Sequence, residues 1–168
     1  ILGANDGGSG VAILLALADS LRKRPPLLGV DLIFFDGEDF GREPQLVGSR
    51  HFARRCDRSY EFIILIDMVG DKDLRLYKEG YSCKFFPELV DSIWQIGKRL
   101  NSKVFRDQVK YHVIDDHISL VERGIRAIDI IDFDYPYWHT LEDNLDKCSE
   151  VSLNLILRLL LKLCYEQY

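Results

Sequence analysis

Hydrophobic and polar positions change between helical and strand patterns along the chain, and this alternation predicts an α/β fold. Residues 10–24 are mostly small and apolar, Ser9 precedes them as a candidate cap, and two prolines follow, so we predict a helix there. Residues 30–35 and 62–68 are short apolar runs, which are typical of strands covered on both faces. The first part of the chain therefore predicts one helix followed by two buried strands.

The rest of the chain continues the same alternation. Residues 87–100 predict a helix that begins at a proline and keeps its apolar positions on one side. The other predicted elements are an edge strand at 74–78, strands at 109–113 and 127–131, a short helix at 117–123 that Gly124 ends, and a closing helix at 151–165. There is no internal repeat and no linker composition, so we expect residues 1–168 to form one domain.

Composition and charge argue against several classes of partner. A hydrophobic fraction of 47% and a charged fraction of 29% are ordinary for a globular domain of 168 residues. The net charge of −5 and the scattered lysines and arginines argue against a nucleic-acid surface. No run approaches the roughly 20 apolar residues of a membrane span. The four cysteines show no C-x-x-C spacing, so we expect mostly free thiols and no cysteine-bound zinc.

Two segments in the first part of the chain contain candidate chemistry. Residues 3–10 are rich in glycine and place Asn5 and Asp6 in a tight turn before a helix. This segment lacks the lysine and the spacing of phosphate-binding loops, so taken alone it is a capped turn. Glu38 and Asp39 follow an apolar run, where carboxylates are costly unless they are hydrated, paired or bound to a metal. Neighbouring side chains of an extended segment point to opposite sides, so one can bind a metal while the other faces a substrate.

Three further positions place a polar side chain in surroundings that do not favour it. Asp67 ends a very apolar run, and His139 lies among aromatic residues. Asp115 and Asp116 stand before His117 at the start of a predicted short helix. Each position also has an ordinary structural interpretation, as a turn cap, a packed histidine or a helix cap.

Taken together, Asp6, Asp39 and His139 make a three-ligand set of the kind that a catalytic zinc needs to keep its fourth position open. Two carboxylates and one imidazole suit Zn²⁺ and exclude a structural site made of thiolates. Glu38 is adjacent to one of these ligands and is therefore placed to move a proton. Two further carboxylates, Asp67 and Asp115, would form a second layer that shares protons with Glu38.

These segments, in this order, resemble peptidase family M28 and, within it, the glutaminyl-peptide cyclotransferases, or glutaminyl cyclases. The resemblance extends from residue 3 to about residue 165, and its most specific segments are 32–38 (Leu-Ile-Phe-Phe-Asp-Gly-Glu), 48–53 (Gly-Ser-Arg-His-Phe-Ala), 115–118 (Asp-Asp-His-Ile) and 138–140 (Trp-His-Thr). M28 aminopeptidases share the Asn-Asp turn, the acidic pair and the His-Thr sequence. The double Asp before His117 and the Trp before His139 are similar to the cyclase branch.

The resemblance implies a three-layer α/β/α fold with a mixed, mostly parallel central sheet, whose N-terminal part is absent from this chain. It implies one zinc on the three ligands above, or two in an aminopeptidase, where Asp67 would bind the second. Glu38 would be the general acid and base, within a hydrogen-bonded network that includes Asp67 and Asp115. Trp138 and Tyr135 would be aromatic residues of a pocket for peptide N-termini. Family members are often secreted or periplasmic, although this sequence itself indicates no compartment.

Two departures from the family pattern keep other functions open. Most relatives have Glu where Asp39 stands, and this chain contains no early His-x-Asp segment to bind a second metal. We therefore consider three functions: a zinc-dependent glutaminyl cyclase, an M28 aminopeptidase, and a catalytically silent homologue that only binds. Ammonia release and the number of bound metal ions distinguish them.

Overall fold

The computed structural model describes residues 1–39 and 45–166, in which helices alternate with parallel strands. The helices are α1 (Gly8–Lys23), α2 (Val47–Arg55), α3 (Gly80–Phe85), α4 (Pro87–Asn101), α5 (Asp116–Val121) and α6 (Glu150–Tyr165). The strands are β1 (Ile63–Asp67), β2 (Leu76–Glu79), β3 (Phe105–Tyr111) and β4 (Ala127–Ile131). A single 3₁₀ turn, Leu145–Lys147, precedes α6. The predicted α/β class is confirmed.

Local sequence signals explain most of the helix ends. α4 begins at Pro87, whose fixed φ and missing N–H suit the first position of a helix. The Asp115 carboxylate and the Ser149 hydroxyl each accept a backbone N–H of the helix that follows, as N-caps of α5 and α6. Gly124, with a φ of 76°, follows α5 in the left-handed region that glycine adopts readily.

The predicted cap of the first helix is wrong. α1 begins at Gly8, directly after Gly7, whose φ is 80°, so Ser9 lies inside the first turn. The Ser9 hydroxyl donates to the Asn5 carbonyl at 2.7 Å instead of capping an N–H of the helix. A Cβ at Gly10 would lie only 2.7 Å from the carbonyl oxygen of Ile66, so α1 packs on β1 more closely than a side chain would allow.

The described strands form two parallel pairs. β1 pairs with β4, and their register places Leu65 opposite Asp129 and Asp67 opposite Ile131. β2 pairs with β3, and this ladder contains register shifts near Lys78. Because side chains alternate across a strand, the acidic residues of β1 and β4 lie on the same face of the sheet.

Residues 30–35 do not form the strand that their apolar run predicts. They and β1 line a cavity of about 1180 Å³, and β1 is hydrogen-bonded to β4 on one side only among the described residues. Phe34 is 51% exposed there, although its sequence context predicts a buried position. A strand needs a hydrogen-bonding neighbour, and an apolar run indicates burial without supplying that neighbour.

The sheet separates two apolar cores. On one face, α1, α4 and α6 cover alternate strand residues, among them Ile66 and Ile130. On the other face, α2 and α5 cover Ala127 with Ala53 and Leu120. The helices thus lie on both sides of the strands in the predicted three-layer order, and α5 lies over the face of β1 and β4 that bears their acidic residues.

Two short helices have no counterpart among the predicted elements. α2 has nine residues and α3 has six, which is too few turns for an apolar periodicity to stand out. Both nevertheless lie near candidate site residues, because α2 follows Glu38 and Asp39 in the chain and α3 follows β2 directly.

Two expectations from composition agree with the structure. All four cysteines are free thiols. Within residues 1–39 and 45–166, no helix is both long and apolar enough to cross a membrane.

Candidate metal centre

The three predicted zinc ligands lie together in the fold although they are far apart in the sequence. Nε2 of His139 is 2.9 Å from Oδ2 of Asp39 and 3.6 Å from Oδ2 of Asp6. One potential ligand atom from each residue lies within 4.8 Å of the other two. The side chains of His139 and Asp39 are about half exposed, whereas that of Asp6 is 20% exposed. One side of the group is therefore open to solvent.

Asp6 is held by the glycine-rich turn before α1. Gly3 has a φ of 68°, and this left-handed conformation lets the chain reverse direction just before Asp6. Asn5 fastens the turn to the end of β1: its Nδ2 donates to the Met68 carbonyl at 3.3 Å, and its Oδ1 accepts from Gly70 N at 2.7 Å. The Asn5 side chain thus acts as a structural anchor, and it carries Asp6 to the end of the sheet.

The acidic pair is held by the start of α2. The N–H of Leu46 donates to the Glu38 carbonyl, and the N–H of Gly48 donates to the Asp36 carbonyl at 2.8 Å. A Cβ at Gly48 would lie 2.7 Å from backbone atoms of Asp36, so only glycine permits this approach. The Gly-Ser sequence that follows the acidic pair therefore fixes the backbone that presents Glu38 and Asp39.

His139 has an unusual backbone conformation. Its φ is 58°, a left-handed value that few residues other than glycine adopt. Among the described residues other than glycine, Leu46 and Met68 share this property, with φ values of 50° and 48°, and Met68 directly follows Asp67. The hydroxyl and the N–H of Thr140 both bond to the Tyr137 carbonyl and close the turn around His139. Such strained positions cluster at functional sites, where the surrounding structure maintains them.

The donor set fits a zinc ion. Zinc with ligands at about 2.0–2.2 Å in a tetrahedron keeps neighbouring donor atoms roughly 3.3–3.6 Å apart. The spacings of 3.6 Å and 2.9 Å from His139 Nε2 lie at and slightly below that range. Burial raises the pKa of Asp6, and the charge on Asp39 raises it further, while His139 opposes the shift. A bound cation would relieve this repulsion.

A group of buried and half-buried acids adjoins these residues. Carboxylate oxygens of Glu38, Asp115 and Asp116 lie within 4.8 Å of one another. Burial and the carboxylates of Asp67 and Asp116 raise the pKa of Glu38 to about 8, although a hydrogen bond with Asp115 opposes the shift. Burial, reinforced by the charge on Asp6, raises the pKa of Asp67 to about 7. Burial and neighbouring carboxylates raise the pKa of Asp115 well above its ordinary value. Groups that titrate near neutrality can both accept and release protons.

The two predicted pocket aromatics differ in exposure. Trp138 is 37% exposed and lies between Phe133 and His139, with ring centroids 5.4 Å and 4.3 Å away and the ring planes tilted. Tyr135 is only 1% exposed, and its hydroxyl donates to Asp143 at 2.8 Å. Tyr135 therefore presents no surface to a peptide in this structure, and its expected place as a pocket aromatic is corrected to a supporting one.

Asp143 is a site residue that the sequence analysis missed. Its side chain is fully buried, and it accepts the N–H groups of Asn5 at 2.9 Å and of Asp6 at 3.2 Å besides the Tyr135 hydroxyl. The polar segment that contains it gave no signal beyond its closeness to His139 in the sequence. Its importance depends on contacts with the other end of the chain.

A second missed group lies deeper, beneath the acids. Glu79, His117 and Asp129 are at most 2% exposed and contact one another across β2, α5 and β4. A signal for Asp129 existed in the sequence, because a carboxylate in the middle of an apolar strand is costly without a partner. The apolar pattern of residues 127–131 predicted the strand, but it did not indicate a role for the Asp129 side chain.

Comparison with known proteins identifies the family. The sequence profile of peptidase family M28 matches residues 2–164. The chain belongs to this family. The resemblance inferred from the motifs is thereby confirmed.

Solved structures and curated proteins name the relatives of this M28 chain. A glutaminyl cyclase from Bacteroides thetaiotaomicron, bound to N-acetylhistamine, has a TM-score of 0.93 and 35% identity, over 100% of this chain and 64% of that one. A leucine aminopeptidase precursor from the same organism has a TM-score of 0.94 and 35% identity, over 100% and 63%. The glutaminyl-peptide cyclotransferase of Boiga dendrophila is 27% identical over 199 residues, which cover 95% of this chain and 54% of that protein. The chain thus spans about half the length of this curated relative.

Proposed function

We propose that the full-length protein is a zinc-dependent glutaminyl-peptide cyclotransferase, which converts the N-terminal glutamine of peptides to pyroglutamate and releases ammonia. The observation that supports this most directly is the open three-donor group beside Glu38, a half-buried acid with a pKa of about 8. The glutaminyl cyclase from Bacteroides thetaiotaomicron and the Boiga dendrophila cyclotransferase, both similar to this chain, also support it.

The proposed reaction is intramolecular. The α-amine nitrogen of the substrate forms a bond to its own γ-amide carbon, and the bond from that carbon to the amide nitrogen breaks. Asp6, Asp39 and His139 would hold a zinc ion, which would supply Lewis acidity at the γ-carbonyl oxygen. Because nucleophile and electrophile belong to one residue, the protein needs chiefly to orient the substrate and transfer a proton.

Glu38 is the residue that we propose to transfer the proton. It accepts a proton from the attacking amine and delivers it to the departing nitrogen, so the same carboxyl acts as base and then as acid. Burial and the nearby charge of Asp67 raise the pKa of Glu38 to about 8, and the interaction with Asp115 opposes this shift. Glu38 can therefore both accept and release a proton near neutral pH. Trp138, exposed beside His139, provides an apolar wall for the glutamine side chain.

Asp67 lies beside the candidate metal group. Its Oδ1 accepts the N–H of Gly7 at 3.3 Å, and burial and the charge of Asp6 raise its pKa. In the proposed cyclase Asp67 is one of the proton-sharing acids, whereas in an aminopeptidase it would bind a second zinc, so the number of bound zinc ions distinguishes the two reactions.

Peptide hydrolysis is the second candidate, because the leucine aminopeptidase precursor has a TM-score of 0.94 to this chain. The full-length protein, loaded with zinc, should release ammonia from Gln-initiated peptides and bind one zinc per chain. Hydrolysis of leucine p-nitroanilide with two zinc ions per chain would instead establish the peptidase. Zinc binding without either reaction would indicate a silent homologue.

The role of Glu38 is tested by Glu38→Gln. The variant should bind zinc but lose at least about 100-fold in kcat/KM for cyclisation, since general acid–base groups contribute on that scale. Glu122→Gln, an exposed substitution at the end of α5, is the matched control and should retain full activity. Cyclisation retained in Glu38→Gln would contradict the proposed mechanism.

A further inference from the structure

Beneath the acid layer lies a buried triad of Glu79, His117 and Asp129. Nε2 of His117 is 3.3 Å from Oε2 of Glu79, and Nδ1 of His117 is 3.9 Å from Oδ2 of Asp129. All three side chains are at most 1% exposed. Neither ring nitrogen closes a linear hydrogen bond, and both carboxyl oxygens of Asp129 lack a hydrogen-bond partner within the described part of the chain. Polar groups buried in this way need an explanation.

The Glu79 carboxylate is surrounded by donors. Oε1 accepts the N–H groups of Tyr81 at 2.8 Å and Val113 at 3.1 Å, and Oε2 accepts the N–H and the hydroxyl of Ser82 at 2.6 and 2.7 Å. Burial favours the neutral acid, but the His117 ring nitrogen that faces Glu79 and the hydrogen bonds from Ser82 and Tyr81 outweigh it and lower the pKa of Glu79 to about 2. An ionised carboxylate can only accept, so the His117 nitrogen that faces it must be an N–H.

The other nitrogen of His117 faces an acid of the opposite kind. Burial, together with the charges on Asp67 and Glu79, raises the pKa of Asp129 well above its ordinary value. A neutral Asp129 carries a proton on the side of its carboxyl group that faces Nδ1. The pair then holds this proton between the two side chains. The other acid that acts on His117 is Asp116, on the same helix.

This proton lies next to the acids of the candidate site. Asp129 lies on the same face of the sheet as Asp67, and its charge is the largest carboxylate influence on Asp115. Carboxylate oxygens of Asp115 and Glu38 in turn lie within 4.8 Å of each other. A proton kept by the Asp129–His117 pair removes one negative charge from beneath this layer.

We propose that Glu79 is a positioning residue that fixes His117 with Nε2 protonated, so that the Asp129–His117 pair keeps a proton beneath the acids that serve Glu38. The triad touches neither substrate nor metal and acts through Asp115. The effect of the triad on turnover rests on the proposed cyclase function. The protonation of His117 Nε2 does not depend on that function.

The first test is the ring state of His117, measured by ¹⁵N NMR on the full-length wild-type protein at neutral pH. Its signals are assigned by comparison with His117→Gln. We expect Nε2 to carry a proton, and in Glu79→Gln we expect a mixture of tautomers. A neutral ring with the proton on Nδ1 and a bare Nε2 in the wild type would overturn the proposal. This readout needs neither zinc nor activity.

The second test is kinetic. Glu79→Gln should lower kcat for cyclisation about tenfold, in the range of losses caused by removing a supporting partner, and leave KM within about twofold. Ser149→Ala is the matched control, since it removes the cap of α6 away from the triad and should not lower kcat. Unchanged kcat in folded Glu79→Gln, or an equal loss in Ser149→Ala, would overturn the positioning role.

Two other outcomes, a variant that does not fold and a protein that does not cyclise, can be distinguished from failure of the proposal. If Glu79→Gln does not fold, the wild-type NMR measurement and the kinetics of His117→Gln decide the proposal, with the same expected loss in kcat. If the wild type shows the expected ring state but no cyclisation, the proposed function fails and the geometry of the triad stands.

Discussion

The buried carboxylate of Asp143 accepts the backbone N–H of Asp6 at 3.2 Å across 137 residues of sequence. Through its other oxygen it accepts the N–H of Asn5 and the hydroxyl of Tyr135. Asp143 therefore links the turn that contains Asp6, one candidate zinc ligand, to the segment that follows His139, another candidate ligand. Supporting contacts of this kind fix the geometry of a metal site as firmly as the ligands do.

Replacing the Asp143 carboxylate should weaken metal binding. Asp143→Asn keeps the shape of the side chain but exchanges one acceptor oxygen for a donor that faces backbone N–H groups. We expect zinc affinity, measured by competition with a chromophoric chelator, to fall about 10–100-fold. Asp146→Asn, an exposed change three residues later, is the control and should leave affinity unchanged. Equal affinities in the two variants would show that Asp143 does not position the ligands.

Removing the imidazole should separate metal binding from folding. His139 is about half exposed and contributes little to the apolar cores, so His139→Ala should lose zinc while its circular dichroism spectrum stays unchanged. The melting temperature of the zinc-free variant should remain close to that of the zinc-free wild type. Global unfolding of His139→Ala would mean that the metal is structural, because such sites contribute their binding energy to folding.

The two tryptophans provide a direct optical readout. Trp94 lies in the core at 1% exposure, whereas Trp138 is 37% exposed and contacts the His139 ring. Zinc or a Gln-initiated peptide should therefore change the fluorescence of Trp138 and leave that of Trp94 unaffected. A Trp94→Phe variant should retain the full change, and Trp138→Phe should lose it and raise KM. A change that persists in Trp138→Phe would place binding elsewhere.

Stability without metal should fall as the pH rises. The folded-state pKa values of Asp67 and Asp132 are raised to about 7 and that of Glu38 to about 8, in each case chiefly by burial. Between about pH 4 and 8 the folded protein therefore binds more protons than the unfolded chain, and the stability present below pH 4 is lost through pH 7–8. The lowered pKa of Glu79, about 2, acts in the opposite direction only below about pH 4.5.

Urea unfolding of the zinc-free protein should show this loss as an unfolding free energy that decreases between pH 5 and 9. Saturating zinc should reduce the decrease, because a cation near Asp67 and Glu38 stabilises their ionised forms. A free energy that rises over the same range would contradict the assigned shifts.

Much of the fold could be predicted from local patterns. The strand at 127–131 has the predicted bounds, and the helix predicted at 87–100 extends by one residue, because periodicity and a proline at the helix start are local signals. The segment 30–35 shows the limit of this reasoning, since its apolar run indicates burial but not the neighbour that a strand requires. Helix α3 has only six residues, which is too short for an apolar periodicity to be detected.

By itself, the sequence determined which side chains conflict with their surroundings. Asp67 at the end of an apolar run and Glu38 beside Asp39 stand out because the cost of burying a carboxylate depends on nearby residues. Their motif order also indicated the M28 family, which the profile match confirms.

Only the tertiary structure decided how these side chains meet. It brings His139 within 3.6 Å of Asp6, buries Tyr135 against Asp143, and places His117 between Glu79 and Asp129. These contacts join segments separated by 8 to 133 residues and depend on the register of β1 and β4 and on how α5 packs over them. Local sequence carries the chemistry of each group, whereas its partners depend on packing between elements that no local pattern specifies.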